Sequence, residues 1–130
     1  MNISEQFERR RARLCLPKTL AAVRADLSLA TVNRLLSGRD RRLGVDTVSA
    51  LAGALGLEVI LGARPRVRAA LSAAAFREKI ARAKAKRLVG MVQGSMALEA
   101  EGVSAEVVRE MERETVHELL AGSARRLWSD

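Results

Sequence analysis

Short apolar segments with a helical period fill the first part of the chain, and residues that begin or end helices separate them. Pro17 and Ser28 suit the start of a helix, while Gly38 and Gly56 suit its end because glycine accepts left-handed backbone. These separators predict four short helices, at about residues 4–14, 17–25, 28–36 and 46–55, with Ser4 as the first N-cap. Helices this short bury a core only by packing on one another, so we expect a mainly α fold.

The apolar period changes after Gly56, where residues 57–63 form a short β-branched run that ends before Pro65. This run predicts one strand, whose exposed edge needs a partner. Pairing with the same strand of a second copy would give a two-fold dimer. A hairpin with residues 66–68 is the alternative, but Pro65 and three arginines argue against it. The dimerisation residues expected on the strand are Leu57, Val59, Ile60 and Leu61.

Residues 72–130 have the pattern of a helical hairpin that follows a linker at 65–71. Ser72 is expected to cap a long helix over about 73–99, and Ser104 a last helix over about 105–121. A short amphipathic end with Leu127 and Trp128 follows. The apolar stripe expected on the long helix consists of Phe76, Ile80, Ala83, Leu88, Met91, Val92 and Ser95. The face expected on the last helix consists of Val108, Met111, Thr115 and Leu119, flanked by Val107, Val116 and Leu120.

The net charge of +8, from 23 basic and 15 acidic side chains, is unevenly distributed along the 130 residues. Residues 1–71 carry 13 basic and 6 acidic side chains, and residues 72–98 carry 6 and 1. Residues 99–130 carry 4 basic and 8 acidic side chains. The basic part, residues 1–98, indicates an anionic partner, and the acidic tail, residues 99–130, indicates a separate function.

Several classes of protein are excluded by what the sequence lacks. Cys15 is the only cysteine, so there is no disulfide scaffold, and we expect it to be a small core residue. His117 is the only histidine, so no Cys/His zinc set exists, and no nucleophile stands in a pattern with a base. We therefore expect neither enzymatic activity nor a metal or cofactor. The polar and then arginine-rich start lacks a secretory signal, and the apolar stretch 48–63 is too interrupted to span a bilayer, which indicates a cytoplasmic protein.

Residues 20–57 resemble the helix-turn-helix of the Cro/XRE family of bacterial and phage regulators. The matching residues are Leu20-Ala21, Asp26-Leu27-Ser28, Thr31-Val32-Asn33-Arg34-Leu35, Gly38-Arg39, Asp46-Thr47-Val48, Leu51-Ala52 and Ala54-Leu55-Gly56-Leu57. The resemblance covers about residues 4–57, where four helices agree in order and spacing. It implies a Cro/repressor-like helix-turn-helix bundle over residues 1–64, with the dimerising strand at its end.

The resemblance implies that the helix after Ser28 reads double-stranded DNA. Val32 and Leu35 would then face inward, and Arg34 would grip guanine while Asn33 reads adenine. Ser28 and the helix amides would bind a phosphate. The expected DNA-binding residues are Lys18, Ser28, Leu29, Ala30, Thr31, Asn33, Arg34, Arg39, Arg41 and Arg42.

Two features of the first 64 residues can each be interpreted in a second way. The helix-turn-helix pattern also occurs as a packing unit without DNA contact. The arginines at positions 9, 10, 11 and 13 suit either a minor-groove arm or the solvated face of a helix.

The tail adds about 65 residues to a Cro-like unit, and the whole resembles XRE-type antitoxins, in which an appended segment dimerises or binds the toxin. This resemblance implies a homodimeric repressor that binds a palindromic operator and neutralises a cognate toxin. The alternatives are a stand-alone regulator with a dimerising or ligand-sensing tail, and a protein-binding adaptor without DNA activity. The expected partner-binding residues are Met111, Thr115, His117, Leu119, Leu120, Leu127 and Trp128, with Trp128 as an anchor.

Overall fold

A computed structural model describes residues 2–39, 44–98 and 104–130, with the backbone alone for residues 93–98. The fold is mainly helical with a small antiparallel sheet of two strands, so the mainly α class is confirmed. The chain divides after Phe76 into two compact units. The elements are α1 (Ile3–Arg13), α2 (Lys18–Ala25), α3 (Leu29–Ser37), α4 (Val45–Ala54), β1 (Leu57–Ile60), β2 (Arg66–Ala69), α5 (Ala73–Leu98), α6 (Ala105–Ala121) and α7 (Ala124–Trp128).

Three of the helices, α3, α5 and α6, begin at the serine caps that the sequence predicts. Ser28 Oγ accepts from the amide of Thr31 at 3.1 Å, and Ser72 and Ser104 cap α5 and α6 in the same way. The prediction of Ser4 as the first N-cap is wrong, because the side chain of Asn2 accepts from the amide of Glu5 at 2.9 Å. An asparagine at this position caps as well as serine, so α1 begins one residue earlier than expected.

The core of the first unit comes from α1 to α4, and its fully buried side chains include Phe7, Leu14, Leu16, Ala21, Val32, Leu51 and Leu55. The expected burial of Cys15 is wrong, since this residue is exposed. Its backbone is left-handed, with φ of 52°, which reverses the chain after α1. The reversal turns both Leu14 and Leu16 inward and leaves the residue between them outside.

The strand pairing corrects the sequence-based argument against a hairpin. β1 pairs antiparallel with β2, with Val59 opposite Val67 and Glu58 opposite Arg68. Pro65 stands just before β2, where its missing N–H costs no ladder bond. Arg68 points to solvent and forms a 2.7 Å ion pair with Glu58, so the arginines fit the outer face of the strand. The expected linker 65–71 therefore contains a strand, and β1 has a partner within its own chain.

The buried stripe of α5 differs from the predicted one. Ala81, Lys84, Ala85 and Val89 are buried at helical spacing, whereas Ala83, Met91 and Val92 are exposed. The sequence did not predict this stripe, because the charged residue Lys84 interrupts its apolar pattern. Its ammonium donates to the backbone carbonyls of Arg126 and Ser129 at the end of α7. Ser95 lies among the residues whose side chains are not described.

Candidate nucleic-acid interface

The turn between α2 and α3 is short and held by backbone bonds. Asp26 adopts left-handed backbone, with φ of 55°, and Leu27 N donates to Ala22 O at 2.9 Å, the six-to-one bond of a Schellman ending. Ser28 follows as the N-cap of α3. Three residues thus connect two helices that pack on each other, which is the connection length of a helix-turn-helix.

The two faces of α3 separate as the sequence predicts. Val32 and Leu35 are buried at 0% and 2% exposure, which confirms the inward face. The outward face contains the exposed residues Leu29, Ala30, Asn33 and Arg34, and Leu29 is 41% exposed. The buried and the exposed residues of α3 thus lie on opposite faces of the helix, as helical spacing requires.

Hydrogen bonds connect Ser28, Thr31 and Arg34 along one side of α3. The two hydroxyl oxygens, Ser28 Oγ and Thr31 Oγ1, lie 2.8 Å apart. Arg34 Nη2 donates to Thr31 Oγ1 and Arg34 Nε to Ala30 O, both at a long 3.4 Å. These long bonds are weak, and no described carboxylate forms an ion pair with Arg34. The guanidinium therefore lies toward the N-terminal half of α3 and is free to bind an acceptor from outside.

The structure describes only two of the other residues expected to contact phosphates. Lys18 is exposed at the start of α2, and Arg39 is exposed just after α3. Gly38 separates α3 from Arg39; its backbone is left-handed, with φ of 69°, and a Cβ added there would lie 3.4 Å from Ser4 Oγ. Arg41 and Arg42 lie outside the described residues.

The expected dimerisation residues fall into two groups. Leu57, Val59 and Ile60 are half-buried in β1, where β2 pairs with them. Leu61 follows β1 and is 67% exposed, and Val45 at the start of α4 is 58% exposed. Both line a mostly apolar groove of about 510 Å³ in the first unit, together with Ile3, Leu35, Val48, Val59 and Pro65, and Asn2, Ser4 and Gly38 complete its lining.

The expected partner-binding residues of the tail are mostly inside the second unit. Leu119, Leu127 and Trp128 are at most 1% exposed, so the expectation of Trp128 as an exposed anchor disagrees with the structure. The burial follows from α7, which turns this end of the chain inward. Met111, Thr115 and Leu120 are half-buried and His117 is exposed. Of the expected partner-binding residues, only Met111, Thr115, His117 and Leu120 are therefore accessible to a partner in this conformation.

Sequence reasoning missed the role of Arg10. Its position three residues after Phe7 and four before Leu14 is a core position of α1, and this spacing was the available sign of its burial. Arg10 is 8% exposed, and its Nε donates to Leu55 O at 2.9 Å. It thus joins α1 to the end of α4.

Two kinds of site are missing from the described part of the chain. No group of three or more His, Cys, Asp or Glu side chains there is arranged to hold a metal ion. No described helix combines the length and apolar character needed to cross a membrane. Comparisons with protein-family models, with curated proteins and with solved structures gave no match to this chain.

Proposed function

We propose that the chain is a sequence-specific DNA-binding repressor, with α2 and α3 as its helix-turn-helix and α3 as the recognition helix. The observation that carries the proposal is the exposed outer face of α3, where Leu29, Asn33 and Arg34 follow the Ser28 cap. An α-helix with such a face fits the major groove of B-DNA. The first unit also carries most of the positive charge, which favours a polyanion.

Each outward residue has a chemical partner on DNA. Arg34 would bind guanine through two donors, and Asn33 would bind adenine. Leu29 and Ala30 suit thymine methyl groups. Ser28, Thr31 and the amides of the first turn would position a phosphate, because the positive end of the helix dipole lies there. Lys18 and Arg39 would neutralise neighbouring phosphates.

Operator selection from random duplexes, followed by fluorescence anisotropy, tests the proposal. We expect Arg34→Ala to lower the preference for the selected duplex over a scrambled one about 10- to 100-fold, the cost of one bidentate base contact. Non-specific affinity should fall little. The matched control is Arg87→Ala, which removes one exposed arginine from the second unit. Unchanged selectivity of the Arg34 variant, or failure to select any duplex, would overturn the proposal.

The proposed repressor is a homodimer on a palindromic operator, with recognition helices about 34 Å apart. Support comes from the apolar groove that includes Val45, Val59 and Leu61, since a second copy would cover it. Because β1 already pairs with β2, proline in β1 would disrupt the hairpin as well as any dimer. Leu61→Glu is the sharper test, because this exposed side chain lies after the strand. Sedimentation should show monomers for Leu61→Glu and dimers for the control Leu71→Glu, which alters another exposed leucine outside the groove.

We further propose that the repressor is an antitoxin that acts in the cytoplasm, with α6 binding a cognate toxin. Support comes from the acidic last third of the chain and from exposed Glu114 and His117 on α6. Co-expression with the product of the adjacent gene tests it: we expect a stable complex and rescue from toxicity. Glu114→Arg should weaken the complex, while Glu5→Arg, with the same charge change in the first unit, should not. Absence of a complex would leave the stand-alone regulator.

A further inference from the structure

A small pocket in the first unit is lined by three arginines of one helix. Arg9, Arg10 and Arg13 of α1 face it together with Gln6, and its volume is about 370 Å³. The opposite wall comes from the hairpin, through Leu57 of β1 and Val67 and Ala69 of β2. Gln6 Oε1 accepts from Val67 N at 3.4 Å and so connects the helix to the strand. We call this the arginine pocket; three positive charges beside an apolar wall make it a concave cationic site.

Arg10 is the buried member of the arginine pocket. Its Nε donates to Leu55 O, and its guanidinium carbon lies 5.6 Å from the centre of the Phe76 ring. These two contacts fix the plane of the group but leave Nη2, which is buried and has no acceptor among the described residues. A buried guanidinium nitrogen without an acceptor is costly and rare in native structures.

No charge within the described chain compensates Arg10. Burial, and secondarily the positive charge of Arg13, lower the pKa of Arg10. The nearest acidic residue along α1, Glu8, is held by Arg11. Arg9 and Arg13 are exposed, and neither forms an ion pair with a described carboxylate. The positive charges of the pocket therefore repel one another unless an anion joins them.

We propose that the arginine pocket binds the oxyanion group of a small molecule, a phosphate or a carboxylate, with Arg9, Arg10 and Arg13 supplying the positive charge around it. Arg9 and Arg13 lie one turn apart on α1 and close over the anion from the solvent side. Arginine is suited to this because its planar donors match two oxygens of one anion. The apolar wall of Leu57, Val67 and Ala69 accommodates the carbon skeleton. The inference does not depend on the proposed function, since none of these residues belongs to α3.

The test follows the Arg10 Nε–Hε resonance by NMR while inorganic phosphate or succinate is added at constant ionic strength. We expect a saturable shift in the wild type. The double variant Arg9→Gln/Arg13→Gln, which changes only exposed side chains, should bind at least about tenfold more weakly because two charge-assisted contacts are lost. The double variant Arg87→Gln/Arg125→Gln makes the same change of charge on exposed residues of the second unit and should bind like the wild type.

Each arm of the experiment has a defined outcome. A shift with phosphate alone or with succinate alone assigns the pocket to that anion. If a DNA duplex shifts the same resonance, and if the pocket variant binds that duplex more weakly than the wild type does, the oxyanion is a backbone phosphate. No movement of the Arg10 resonance with any of these anions, or equal affinities in the pocket and control variants, would overturn the proposal. Arg10 would then serve only the contacts to Leu55 and Phe76.

Discussion

Lys84 Nζ lies 2.7 Å from the backbone carbonyl oxygen of Ser129 and also donates to that of Arg126. These carbonyls end α7 and have no following helical turn to donate to them. A lysine ammonium supplies several donors and suits the negative end of a helix. This contact explains how a charged residue occupies the middle of the buried α5 stripe, and it fixes the short helix that carries Trp128.

We expect Lys84→Met to destabilise the second unit by about 1–3 kcal/mol, because the substitution keeps the aliphatic stem and removes the donor from two partly buried carbonyls. Trp128 is the only tryptophan and is buried, so its fluorescence reports this unit. Its emission should shift to longer wavelength at lower urea than in the wild type. Lys86→Met removes an exposed ammonium from the same helix and should leave the midpoint unchanged. Equal midpoints for the two variants would contradict the capping role.

Gly56 and Gly53 should respond oppositely to alanine. Gly56 has φ of +68°, and an added Cβ would lie 2.7 Å from the Phe76 ring. We expect Gly56→Ala to cost more than the roughly 1–2 kcal/mol of left-handed backbone alone, because the ring that covers Arg10 must move. Gly53 lies inside α4 with nothing within 4 Å, so Gly53→Ala should stabilise by about 0.5–1 kcal/mol. Urea unfolding followed by circular dichroism measures both, and a stable Gly56→Ala protein would show that Phe76 does not pack there.

The helices were predictable because their determinants are local. Ser28, Gly38 and Ser104 act on amides or dihedral angles within four residues, and the inward position of Val32 follows from helical spacing alone. The exposed face of α3 was predictable for the same reason, since it is the complement of the buried face.

The remaining features depend on contacts between distant residues. The partner of β1 was not predictable from Pro65 and the arginines, because a strand with one half-buried residue, Val67, has too little pattern to recognise. The burial of Lys84 depends on carbonyls more than 40 residues away, and that of Trp128 depends on α7 turning inward. The arginine pocket forms only when the hairpin lies beside α1, so the arginine run alone suggested an arm or a solvated face.

The Glu8–Arg11 pair should stabilise the first unit only while Glu8 is ionised. Two hydrogen bonds join the carboxylate to Arg11, at 2.8 and 2.5 Å, and this contact lowers the pKa of Glu8 below its usual range. A carboxyl whose pKa is lower in the folded state adds stability at neutral pH, and this stability is lost as the pH falls through the lowered pKa.

A double-mutant cycle of Glu8→Gln and Arg11→Gln isolates this pair, because the separate bond from Arg11 to Leu16 O cancels. The carboxylate is 41% exposed, so we expect a coupling of about 0.2–1 kcal/mol at pH 7. The coupling should fall toward zero in acid, once the pH has fallen through the lowered pKa and the carboxyl is protonated. Thermal unfolding at pH 7 and in acid measures it, and a coupling that persists after protonation would show that charge is not its source.

Two substitutions of Ser28 should distinguish its contribution to the stability of α3 from its contribution to DNA binding. Ser28→Ala removes the cap on the Thr31 amide and should cost about 1 kcal/mol of unfolding free energy. Ser28→Asp keeps a capping oxygen and should be as stable as the wild type, but its negative charge would repel the phosphate proposed at this helix end. Duplex affinity should therefore fall for Ser28→Asp and remain unchanged for Ser104→Asp, the same substitution at the N-cap of α6. Anisotropy with the selected duplex makes the comparison, and wild-type affinity of Ser28→Asp would show that this end of α3 does not approach the DNA backbone.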